Sequence, residues 1–128
     1  MKTIYLVDNN RSHHSNIKQL FIEDYEVKSF NSAKSVIESL KRLKKLNEEM
    51  PEVIIIDYKL RGGNSLELFH TLNARLEDTK FILMIPREEE NALLDVIKAG
   101  IMNYIMRDEN YLKTLKSSIG NKSVYSII

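Results

Sequence analysis

Short apolar, β-branched runs alternate along this chain with longer stretches in which apolar residues recur at helical spacing. Five runs read as strands, at residues 3–7, 26–30, 53–56, 81–85 and 102–106. The second alternates polar and apolar residues, whereas the third and fourth are apolar throughout, the pattern of central strands buried on both faces. Between and after them lie five helical patterns. The first carries Ile17, Leu20 and Phe21, with Ser12 as a candidate cap. Ser32 opens the second, with Val36, Ile37, Leu40 and Leu43 on one face. After the Gly62–Gly63 pair, Leu68, Phe69 and Leu72 mark the third. The fourth has Glu88, Glu89 and Glu90 at its positive end, a predicted buried stripe of Leu93, Val96 and Ile97, and Gly100 as its stop. Leu112, Leu115 and Ile119 define the last.

Strands alternating with helices imply right-handed crossovers and a parallel sheet with helices on both faces. In such an α/β fold, chemistry gathers outside the carboxyl ends of the strands. Three charged residues stand there: Asp8, Asp57 and Arg107, each directly after an apolar run. Any one of them alone reads as a loop or cap residue. Together they predict a shared crevice. A carboxylate driven to the end of VIII-type apolar sequence, as Asp57 is in PEVIIIDYKLRGGN, is partly desolvated and calls for a compensating cation or donors.

Composition narrows the partners. At 128 residues the chain suits one domain, and its net charge of +1 provides no overall field for nucleic acid or an anionic membrane. No cysteine is present, which excludes thiol chemistry and cysteine-ligated metals. The apolar run in MKTIYLVD is too short for a signal-peptide core or membrane span, so a cytoplasmic protein is expected.

The motifs in order resemble the receiver domains of two-component response regulators. LVDNN is similar to that family's acidic loop, IIIDYKLRGGNSLEL to its phosphoacceptor strand and following loop, and KAGIMNYIMRD to its glycine-aromatic-lysine segment. The resemblance implies a flavodoxin-like, doubly wound five-stranded sheet of order 2-1-3-4-5, a receiver domain over residues 1–120 and a tail over 121–128. It implies a signalling module and no enzyme. Asp57 falls on the phosphoacceptor and Tyr104 on the aromatic switch residue. Mg²⁺ would be held by Asp8, Asn9, Asp57 and the backbone carbonyl of Lys59. A histidine kinase or phosphotransfer protein would be the donor and a downstream protein the reader. A homodimer is compatible with the resemblance, and direct nucleic-acid or membrane contact is not expected.

Five positions depart from the family pattern. Asn9 replaces an acid expected at the metal, and a carboxylate about 4 Å from a divalent ion gains a gross ~8 kcal/mol at an effective dielectric of ~20, before desolvation. A weak or absent Mg²⁺ site is therefore expected. Ile85 and Pro86 stand where the family has a hydroxyl residue and a small one, so the usual link to Tyr104 is lost. Arg107 replaces the family lysine; its planar fork can form a standing pair with Asp57 or Asp8. Ser65 occupies a position commonly held by glycine. His13 and His14 are expected at the surface because adjacent helical side chains diverge, and the run Lys41, Arg42, Lys44 and Lys45 as a solvated helix face. Two readings follow: a phosphoacceptor at Asp57 that switches a partner-binding surface, or a pseudo-receiver that keeps the surface around the fourth helix and Tyr104 and signals without phosphate. Enzyme folds of similar pattern fit poorly, since DNNRSHH is not a glycine- and hydroxyl-rich phosphate loop and Asn10 stands where a haloacid-type phosphatase has its second aspartate.

Overall fold

A computed structural model describes residues 1–60 and 64–120 of the chain. The Gly62–Gly63 pair and the tail 121–128 lie outside the described residues. Strands β1 (Lys2–Val7), β2 (Tyr25–Phe30), β3 (Val53–Asp57), β4 (Lys80–Pro86) and β5 (Tyr104–Arg107) alternate with helices α1 (Arg11–Leu20), α2 (Ala33–Lys45), α3 (Ser65–Arg75), α4 (Glu90–Lys98) and α5 (Tyr111–Gly120). All strand pairs are parallel and the sheet order is β2-β1-β3-β4-β5. This is the expected flavodoxin-like topology.

Successive side chains of a strand point to opposite faces, and the core divides accordingly. Tyr5, Val7, Ile54, Ile56, Phe81, Leu83 and Ile85 pack beneath α2, α3 and α4. Ile4, Leu6, Val53, Ile55, Ile82 and Met84 pack beneath α1 and α5, against Ile17, Phe21, Leu115 and Ile119. Every residue of β3 is buried. Its last residue, Asp57, is thus carried to the carboxyl edge by a segment anchored on both faces.

Local chemistry sets the helix starts. Asn10, not Ser12, caps α1, its side chain accepting from the backbone N–H groups of Ser12 and His13. Ser32 caps α2 as its sequence predicts, and Asn64 caps α3. At the end of α4 the chain reverses through Gly100 at φ +76°, a conformation that a Cβ disfavours.

Two further expectations are corrected. The buried positions of α4 are Ala92 and Val96, with Leu93 partly covered, whereas Ile97 is 54% exposed. Ile97 lies one step of about 100° beyond Val96, enough to leave the sheet in a helix of nine residues. The fifth strand begins at Tyr104, later than the apolar run suggests, because Met102 points outward at 88% exposure and only residues from Tyr104 onward pair with β4. The basic run on α2 is exposed as expected.

Candidate functional site

The parallel register places the ends of β1, β3 and β5 along one rim, with Val7 opposite Ile56, Asp57 opposite Met84, and Pro86 opposite Arg107. The three charged residues predicted to converge there are brought together. Asp8 is fully buried and Asp57 is 7% exposed. Arg107 Nη2 donates to Asp8 Oδ2 at 3.3 Å, the standing pair expected from sequence. The guanidinium also lies over the Tyr111 ring, 4.6 Å from its centroid, a contact that ammonium would fill less well. Its other nitrogen, Nη1, is buried without a hydrogen-bond partner among the described residues.

His13 belongs to the site, against the surface role expected for it. Its Nδ1 lies 2.7 Å from Asp8 Oδ2 and 3.8 Å from Asp57 Oδ2. His14 Nε2 meets the backbone carbonyl of Asp8. The two imidazoles do diverge, as neighbours on a helix must, but Asp8 is reached from both directions: one ring takes its carboxylate and the other its backbone. The usable sequence signal was the spacing. Asn10 caps the helix two residues after Asp8, which folds the first turn of α1 back over the strand end. Asp8 Oδ1 accepts from the backbone N–H of Asn10 at 2.8 Å, closing that turn.

Asp57 Oδ1 accepts from the backbone N–H of Lys59 at 3.1 Å. Burial raises the Asp57 carboxyl above its ordinary pKa and the nearby Asp8 carboxylate adds to the rise, while the Lys59 N–H, Arg107 and His13 pull it back. The segment after Asp57 is tied to two helices. Ser65 Oγ donates to the Tyr58 carbonyl at 2.8 Å, joining the start of α3 to the residue after Asp57. Tyr58 Oη donates to Asp95 Oδ2 at 2.9 Å, and Lys59 pairs with Glu89.

Of the other predicted residues, Asn9 is exposed beside the crevice, Ile85 is fully buried in the core under α4, and Tyr104 is 36% exposed at the start of β5. Asp8, His13 and Asp57 each offer one ligand atom, all within 4.8 Å of one another. The cluster can hold a divalent cation, which two partly desolvated carboxylates favour electrostatically.

A family model described as the response regulator receiver domain matches residues 4–117. The chain belongs to this family. Receiver domains are signalling domains of two-component systems, in which kinases or phosphotransfer proteins and downstream effectors interact with them. Among curated proteins, the chain is 29% identical over 108 residues to the DNA-binding transcriptional activator DevR/DosR of Mycobacterium tuberculosis, covering 84% of this chain and 48% of that protein. It therefore spans about half the length of this relative. The response regulator receiver domain protein (CheY-like) from Methanospirillum hungatei JF-1 superposes with a TM-score of 0.70 at 24% identity, covering 95% of this chain and 93% of that one. The Mn²⁺-bound form of response regulator Rcp1 superposes at 0.71 with 14% identity, covering 98% and 94%. No helix among the described residues of this receiver is long and apolar enough to cross a membrane.

Proposed function

We propose that this receiver accepts a phosphoryl group on Asp57 and signals through the surface around α4 and Tyr104. The observation that carries the reading is the set of groups around Asp57. A nearly buried carboxylate ends β3 beside a second acid, a histidine and an arginine with one nitrogen unpaired among the described residues. In the transfer, an Asp57 carboxylate oxygen attacks the donor phosphorus. The new P–O bond makes an acyl phosphate, and the bond from phosphorus to the donor's leaving atom breaks with its electron pair. Burial, which raises the Asp57 pKa, makes the carboxylate a stronger nucleophile. Arg107 Nη1, without a partner among the described residues, would be the donor to a phosphoryl oxygen while Nη2 stays on Asp8.

Asp8 and Asp57, with the Lys59 carbonyl, would hold a divalent ion. Asn9 would contribute only an uncharged carbonyl. When bound, the ion offsets the charge of donor and acceptor as they approach. The donor is a phosphohistidine on a histidine kinase or phosphotransfer protein. The reader is a downstream protein, met at a face where Leu94, Ile97 and Met102 are exposed together with Tyr104. That face also suits a second copy of the chain. Ile85 offers no hydroxyl to relay the change, which makes the active site degenerate in this respect, and the ties from Tyr58 and Lys59 to α4 provide another route. The protein acts in the cytoplasm, makes no direct nucleic-acid or membrane contact, and catalyses no turnover of its own.

Incubation with a divalent cation and a small phosphodonor, followed by intact mass, tests the reading. A gain of one phosphate that disappears in Asp57→Ala is expected. Unchanged mass at saturating donor would turn the assignment to the phosphate-independent module.

A further inference from the structure

We infer that His13 is a metal ligand, making this a mixed oxygen and nitrogen site that selects a first-row transition dication over Mg²⁺. The inference rests on the reading of Asp8 and Asp57 as ligands and goes on to the identity of the ion. Adjacent ligands of an octahedral ion at about 2.1 Å stand about 3 Å apart. The His13 Nδ1 separations of 2.7 Å from Asp8 Oδ2 and 3.8 Å from Asp57 Oδ2 bracket that value. Small adjustments of side chains already in place would therefore admit an ion between them.

The ring is held for this task. Asn10 caps the first turn of α1 by accepting from the His13 backbone N–H at 3.4 Å, and the Asp8 side chain accepts from Asn10 N–H, so ligand and helix start are braced against each other. Only 21% of the His13 side chain is exposed. The lone pair at Nδ1 becomes available to an ion when the ring's proton sits on Nε2.

Ligand chemistry then decides the ion. Mg²⁺ is hard and takes oxygen ligands, keeping several waters, and it gains little from imidazole. Co²⁺, Ni²⁺ and Zn²⁺ bind imidazole well, and Mn²⁺ accepts it at the low end of the series. The missing second acid at Asn9 works in the same direction. It removes charge, on which Mg²⁺ binding chiefly depends, whereas His13 supplies a donor that only the softer ions use fully.

Titration calorimetry of the full chain with Co²⁺ and with Mg²⁺ tests the proposal, together with proton NMR of the Co²⁺ form. Wild type should bind Co²⁺ at least about a hundredfold more tightly than Mg²⁺ and show a hyperfine-shifted imidazole N–H resonance. His13→Ala should lose about tenfold or more in Co²⁺ affinity while Mg²⁺ affinity stays within about threefold, and the shifted resonance should vanish. His13→Gln, which retains a hydrogen-bonding group for Asp8, should behave like His13→Ala, and His14→Gln should keep the resonance. Equal losses for both ions in His13→Gln would make His13 a brace for Asp8 and overturn the proposal, as would no binding or an unshifted imidazole in wild type. The phosphoacceptor reading is judged separately. Phosphate gained on Asp57 without nitrogen coordination refutes only this inference, and nitrogen coordination without phosphate gain refutes only the acceptor assignment.

Discussion

At the scale of single residues, this receiver's site is a balance of charge around two buried carboxylates. Asp8 has no exposure, and its carboxylate has three contacts: Arg107, His13 and the Asn10 N–H. Asp57 is less well compensated, since its carboxyl is raised by burial and by Asp8. That has a consequence for stability. A carboxyl whose folded pKa exceeds its unfolded value holds its proton more tightly when folded, so stability falls as pH rises through the window from the ordinary aspartate value to the raised one. The loss persists at neutral pH. Asp57→Asn removes the titration, and in metal-free buffer at neutral pH it should raise the melting temperature by a few degrees, on the order of 1 kcal/mol. The gain should shrink on acidification through that window. Thermal melts of both proteins as a function of pH check this, and an unchanged gap at every pH would contradict it. His13 shows where residue-by-residue reading fails: helical geometry correctly separates its ring from that of His14, but says nothing of a target that both can reach.

At the scale of elements, the start of α1 is the structural hinge of the site. Its cap, Asn10, ties the helix start to Asp8 and also sets His13 over the acids. Asn10→Ala should cost about 1 kcal/mol of stability, measured by urea unfolding, as caps generally do. Asn10→Asp should retain the cap, because a carboxylate also accepts N–H groups at a helix start. A result of no loss in Asn10→Ala would mean the turn is held by Asp8 and the two histidines alone. Element types and order were legible in the sequence because periodicity reports which side of an element is covered. The ends were less so. Ser12 and Asn10 are both good caps on composition, and only the backbone path of the loop decides between them. The phase of α4 had the same ambiguity, since Leu93, Leu94, Val96 and Ile97 form an apolar set too wide for one buried stripe.

At the scale of the whole molecule, β4 lies between β3, which ends on Asp57, and β5, which begins at Tyr104. Ile85, near the carboxyl end of β4, is fully buried in the core beneath α4. Ile85→Thr should destabilise the unmodified protein by about 1–2 kcal/mol, because a methyl group is lost and a hydroxyl is buried. Chemical unfolding measures the cost, and NMR of the Tyr104 ring under phosphodonor reads whether a restored hydroxyl strengthens the response at β5. A neutral substitution would show that the β4 end has room and polar partners to spare. What the sequence by itself determined is the doubly wound sheet and the rim on which Asp8, Asp57 and Arg107 meet, because alternating apolar periodicity and parallel crossovers leave few topologies. What only the tertiary structure decided is the pairing within that rim: Arg107 on Asp8, His13 between the two acids, and Tyr58 reaching α4. Those contacts depend on loop paths and side-chain directions over a few ångströms, to which hydrophobic patterning is blind.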